Sequence, residues 1–338
     1  MKIAIDVMGG DNAPRAIVDG SMLALREYGV ELYLVGLKNE IEKYLSEEDM
    51  KNPKVTITEA SEIINVDEAP VNAIKHKKDS SLVVGLKLVK DGTCDAFISA
   101  GSTGAFLAGS LLKVGRIKGI DRPALSPLIP TLKGSCMIID AGANVDCKPR
   151  NLQQFAIMGS IYMEKVMGMT KPRVGLLNIG AESSKGNELT KESFELIKGE
   201  NVNFIGNVEA RDIISGVCDV CVCDGFAGNV LLKNTEGVAM TMFKLLKEEF
   251  MKSFKTKLGA VLLKGSLMNI KKRFDYTEVG GAPFLGISGI MIKAHGSSDA
   301  KAVKNAIRQA KLLYDNSCIA TIKNEIAKLG VESADEQA

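Results

Sequence analysis

Residues able to do chemistry gather in this chain where short apolar runs break into glycine-rich turns. The run 217–222 ends in Asp224-Gly225-Phe226-Ala227-Gly228-Asn229, and a helical pattern follows. In an open α/β sheet, ligands sit at such strand-to-helix junctions. Asp224 and Asn229 bracket the turn, Gly225 and Gly228 let the backbone come close to a bound group, and N–H groups at a helix start suit an anion. The form recurs. Asp6, Gly9, Gly10 and Asp11 follow the first apolar run; Gly101, Ser102, Thr103 and Gly104 follow residues 96–100; Asn144 and Asp146 follow Asp140. Lys185 and Asn187 come after the run 174–178, and His295 precedes Gly296-Ser297-Ser298. Any one of these turns serves helix packing as readily as ligand binding. Their density around polar residues favours a polar, anionic ligand.

Several chemistries are disfavoured. No turn has the form G-x-x-x-x-G-K-[ST], and none has a full G-x-G-x-x-G with an acidic residue at the usual distance, so Walker and dinucleotide sites are not expected. Cys218-x-x-Cys221-x-Cys223 lies mostly within an apolar strand, where buried structural cysteine is the better reading than a metal or redox motif. With two His in the chain, nucleophilic catalysis through a His base would need His76 or His295. His76 sits in a Lys-rich surface segment; His295 stands open between a catalytic and a structural role. A substrate that brings its own anionic nucleophile would need no protein nucleophile. No metal and no cofactor is expected.

The elements that hold these turns alternate short strands with helices, which predicts an α/β fold with layers built on a largely parallel sheet flanked by helices. Residues 1–338 read as a single α/β catalytic unit that could divide into two lobes, with a frayed tail over 329–338. The formal charge of +2 and the absence of Trp make nucleic acid an unfavoured partner. Seven irregularly spaced Cys and a first apolar run interrupted by Asp6 point to a reducing cytosol. The run 96–112 is broken by Gly101, Gly104 and Gly109, so it reads as strand, turn and helix rather than a membrane span. A long helix is expected over 237–257. Residues 251–274 carry Lys252, Lys255, Lys257, Lys264, Lys271, Lys272 and Arg273 with no acidic residue, around the apolar Leu258, Val261, Leu262 and Leu263. That segment reads equally as helices at a dimer interface or as a basic apolar helical tip on an anionic membrane surface.

Taken together these residues resemble the bacterial acyl-acyl carrier protein:phosphate acyltransferase family, PlsX, over nearly the whole length. The resemblance is carried by Asp6-Val7-Met8-Gly9-Gly10-Asp11, Lys78-Asp79-Ser80-Ser81, Ser99-Ala100-Gly101 with Thr103-Gly104-Ala105, and Asp140-Ala141-Gly142-Ala143-Asn144. It continues through Gln154-Phe155-Ala156, Gly175-Leu176-Leu177-Asn178-Ile179-Gly180, Lys185-Gly186, Asp224-Gly225-Phe226 with Gly228-Asn229, Gly280-Gly281-Ala282-Pro283 and His295-Gly296. Ser102 stands where the family pattern has Asn, and Ala210 where it has Gly.

The resemblance implies a fold like that of isopropylmalate dehydrogenases and phosphate acetyltransferases, and a homodimer. It implies attack of inorganic phosphate on the thioester of acyl carrier protein, giving acyl phosphate for phospholipid synthesis. Lys185 would meet phosphate or carbonyl charge, and Asn229 would orient the same groups. The cysteine usage together with the basic apolar segment 251–274 would place the protein in the cytoplasm, peripherally on the inner face of the cell membrane, beside a membrane glycerol-phosphate acyltransferase. Two rivals remain: a metal- and NAD-dependent decarboxylating dehydrogenase of similar architecture, and a non-catalytic membrane-surface scaffold that binds acyl carrier protein.

Overall fold

A computed structural model describes residues 1–273 and 276–335. Its strands, in chain order, are β1 (Lys2–Asp6), β2 (Glu31–Gly36), β3 (Val55–Glu59), β4 (Ala96–Ser99), β5 (Ala124–Leu125) and β6 (Leu128–Thr131). They continue with β7 (Gly134–Ile139), β8 (Arg173–Asn178), β9 (Asn203–Glu209), β10 (Val220–Val222), β11 (Ala282–Leu285) and β12 (Ile290–Lys293). Among the described residues these form two sheets, ordered β3-β2-β1-β4-β12-β11-β5 and β6-β7-β10-β8-β9. Neighbours are parallel except where β11 meets β12 and β5, and where β6 meets β7. The expected layered α/β architecture is present.

Strands buried on both faces read as unbroken apolar runs, and the core strands follow that rule. Ile3, Ala4 and Ile5 of β1, Phe97 and Ile98 of β4, and all of β10 are buried. Ile3 and Leu32 of the first sheet share one buried cluster with Met137 and Val174 of the second. The helices Pro149–Lys165 and Ala300–Asp315 contribute to the same cluster, so one apolar core runs under both sheets. The C-terminal ends of β1, β4 and β12 lie side by side in register, with Ile98 opposite Ile5 and Lys293 opposite Ser99.

Two helix boundaries differ from expectation. The long helix runs Gly225–Phe250, and a second begins at Phe254 and reaches Arg273. The break between them falls at residues 251–253, where Ser253 Oγ accepts the Thr256 N–H at 3.2 Å and starts a new helix. Leu258, Val261, Leu262 and Leu263 lie within the second helix, and all four are exposed. Of the tail expected to fray, residues 329–335 continue the helix Cys318–Asp335; residues 336–338 lie outside the described residues. No helix among the described residues is long and apolar enough to cross a membrane.

Candidate active site

The turn after β1 is built on Asp6, whose carboxyl is buried. Ser99, at the end of β4, donates to Asp6 Oδ2 at 2.6 Å, and the Met8 N–H donates to Oδ1 at 3.3 Å. Burial pushes the Asp6 carboxyl above the usual carboxylate range, and the Ser81 and Ser99 hydroxyls oppose it. A Cβ at Gly9 would lie 2.6 Å from Asp6 Oδ2 and 2.7 Å from Gly101 N, so only glycine lets the turns after β1 and β4 touch. Asp11 N donates to Gly296 O at 2.7 Å, and Asn12 Nδ2 donates to Ser297 O and Ser298 O. The turns after β1, β4 and β12 are thus tied into one floor. Ser102 caps the helix Thr103–Gly109, its Oγ accepting from Ala105 N at 3.4 Å.

The opposite wall comes from the second sheet. Asp140, directly after β7, accepts from the backbone N–H of Leu125, Gly142, Ala143 and Asn144 and from Asn144 Nδ2. Asn144 Nδ2 also donates to Pro123 O at 2.7 Å, and Asn144 O accepts from Gly225 N at 2.7 Å. Asn144 therefore holds loops together. A Cβ at Gly225 would lie 2.5 Å from Asn144 O, and one at Gly228 would overlap Asp140 O. Both glycines seat the helix Gly225–Phe250 against the 140–144 loop, and Gly225 also lines the cavity between the two walls. Asp224 caps that helix, Oδ1 accepting from Ala227 N at 2.8 Å.

Between these walls lies a cavity of about 470 Å³, lined among others by Thr103, Gly142, Asn229, Lys233, Lys293 and His295. Asn229 and Lys233 are one turn apart on the helix Gly225–Phe250. Lys233 Nζ pairs with Glu236 at 2.8 Å. His295 Nδ1 accepts from Ser297 N at 3.2 Å and lies 2.8 Å from Ser297 Oγ. Burial, helped by the nearby Lys233, pushes the imidazole pKa below its ordinary value. Cys147 sits behind the 140–144 loop, where burial pushes its thiol up to about 12, so it supplies no thiolate.

Lys293 escaped the sequence reading because it closes an apolar strand. Its ammonium donates to Ala100 O at 3.3 Å and to Ala294 O, between the β4 and β12 turns. Burial brings its pKa down to about 8, with Asp6 and Asp11 acting in the other direction. The signal available in the sequence was a lone cation two residues before His295. Of the expected site residues, Thr103, Gly225, Asn229 and His295 line this cavity, and the others build the turns around it or stand farther off. Lys185 lies exposed in the loop after β8 and Asp146 is exposed beyond the 140–144 loop; neither lines the cavity.

The sequence pattern of the family described as "Fatty acid synthesis protein" matches residues 1–321. Proteins described as "Phosphate acyltransferase" from Thermoanaerobacterium thermosaccharolyticum and Alkaliphilus oremlandii are each 54% identical over 330 residues, covering 98% of both chains. The chain belongs to the phosphate acyltransferase family, PlsX. Solved relatives of this phosphate acyltransferase family member by shape include a phosphotransacetylase from Streptococcus pyogenes, TM-score 0.62 and 17% identical over 93% of this chain and 94% of that one. A branched-chain phosphotransacylase from Enterococcus faecalis V583 follows at TM-score 0.57, 14% identical, covering 92% and 98%. Those likenesses establish the phosphate acetyltransferase-like fold.

Proposed function

We propose that the chain transfers a fatty acyl group from the thioester of acyl carrier protein to inorganic phosphate, giving acyl phosphate for phospholipid synthesis. The observation that carries this reading is one cavity lined by an enclosed ammonium, a side-chain amide and an imidazole, in a member of the phosphate acyltransferase family. Phosphate would sit against the Lys293 ammonium. One of its oxygens attacks the thioester carbonyl carbon; the C–O bond forms, the carbonyl oxygen gathers negative charge, and the C–S bond then breaks. Asn229 Nδ2 and His295 Nε2 are the donors proposed for that oxygen, preorganised by the helix and by Ser297. The leaving carrier thiol has a pKa of about 8.5, so it departs without a strong general acid. Lys185 is proposed to meet phosphate charge from the loop after β8, the strand next to β10.

The same reading includes a homodimer, a place in the cytoplasm, and peripheral contact with the inner face of the membrane near a glycerol-phosphate acyltransferase. The exposed Leu258, Val261, Leu262 and Leu263, set among lysines on the helix Phe254–Arg273, support the membrane contact. To test the reaction, the protein is incubated with acyl carrier protein thioester and phosphate, and hydroxylamine traps acyl phosphate as hydroxamate. Hydroxamate above the protein-free control is expected; none in a folded preparation would refute the reading.

A further inference from the structure

The cavity with Asn229 does not end at the reacting groups. A second hollow of about 990 Å³ opens beside it, and Leu128, Leu232, Glu236 and Val279 line both. Three of these shared walls are apolar. On the helix Gly225–Phe250, Asn229, Leu232, Glu236 and Ala239 recur at helical spacing, a face of about 15 Å from the amide to the alanine. At the far end Gln309 is 4% exposed; its Nε2 donates to the Tyr162 hydroxyl at 2.8 Å, and its Oε1 has no partner among the described residues. A buried, unpaired amide oxygen is costly, and here it is one polar group in a wall that also includes Val166 and Leu312.

We infer that this groove takes the fatty acyl chain of the thioester, with the carbonyl at Asn229 and the chain running along Leu232 and Ala239 toward Gln309. The inference rests on the acyl-transfer reading above and adds the surface that would select a long chain over a short one. The argument is one of continuity: the two hollows share Leu128, Leu232 and Val279, so an acyl group whose carbonyl lies at Asn229 has unbroken apolar wall leading into the larger one. Burial of its methylenes there supplies binding in proportion to length.

The chain has no tryptophan, so Ala239→Trp places a sole indole on the groove wall. Palmitoyl-carrier thioester added without phosphate should shift its emission to the blue, and butyryl-carrier thioester should not. In turnover, kcat/KM for the palmitoyl substrate should fall about tenfold or more relative to the butyryl one, with KM for phosphate unchanged. Val238→Trp, at a neighbouring exposed position off the groove, should do neither. Thr235→Trp, on the same groove wall, replaces Ala239→Trp if that variant fails to fold. Silence of the indole with equal loss at both lengths would overturn the inference, and the same result with dissociation of a dimer in sedimentation would give the groove to a second copy instead. Wild-type protein that makes no acyl phosphate would sink the acyl-transfer reading, while a palmitoyl-specific blue shift would still establish the groove as a fatty-chain site.

Discussion

Ser99 donates its hydroxyl to Asp6 Oδ2 at 2.6 Å, joining the ends of two neighbouring parallel strands across 93 residues of sequence. The same Oγ accepts from Gly101 N at 3.1 Å, so one hydroxyl fixes both the β1 and β4 turns. Ser99→Ala removes a donor from a buried carboxyl and an acceptor from a backbone N–H. A loss of about 1–3 kcal/mol in urea unfolding is expected. An unchanged midpoint would show that the floor of the cavity does not depend on this bond.

Lys293 gives the site a pH limb. With its pKa brought down to about 8 by burial, against Asp6 and Asp11 and with Lys233 as a like charge, the ammonium is lost as pH rises through about 8. The charged form is the one that pairs with phosphate, so kcat/KM should fall on the alkaline side of that value. Lys293→Met should lower kcat/KM on the order of a hundredfold and abolish the limb. Lys293→Arg should keep charge and move the limb upward. A wild-type profile flat through that range, or a Lys293→Met variant with normal turnover, would remove Lys293 from the phosphate site.

Asn229→Ala and Lys185→Ala test two different placements. Asn229 lines the cavity, and its loss should cut acyl-phosphate formation on the order of a hundredfold with the fold intact by circular dichroism. Lys185 is exposed and off the cavity wall, so a comparable loss in Lys185→Ala would mean that its loop comes over the bound substrates. Near-normal turnover in a folded Lys185→Ala protein would end its catalytic assignment.

The helix Phe254–Arg273 should hold the protein on anionic liposomes. Leu262 and Val261 are 80% and 68% exposed, and each nearby lysine contributes about 1 kcal/mol at an anionic surface. Leu258→Glu combined with Leu262→Glu is expected to abolish co-sedimentation while turnover in solution survives. Liposome binding that persists in the double variant would leave the helix as an interface between subunits.

What the sequence made legible follows from burial. β1, β4, β7 and β10 are covered on both faces and read directly as apolar runs ending in glycine turns. β5 and β6 escaped because they are two and four residues long, with Pro127 and Pro130 in or beside them. The turns after β1, β4 and β12 were found, yet what Gly228 does depends on Asp140 O, a contact no local pattern reveals. The end of the helix Gly225–Phe250 was missed because no Gly or Pro marks the break at residues 251–253, where Ser253 and Thr256 cap the next helix.

The central claim is that phosphate itself attacks the thioester. Acyl carrier protein thioester is mixed with the enzyme at stoichiometric concentration, with and without phosphate, and carrier thiol, hydroxamate and the intact mass of the 36.2 kDa chain are read from the same sample. Without phosphate, the expected result is no released carrier thiol and an unmodified chain; with phosphate, thiol and hydroxamate should appear in equal amounts. Carrier thiol released without phosphate, together with a chain heavier by one acyl group, would contradict direct attack and place a protein nucleophile in the reaction.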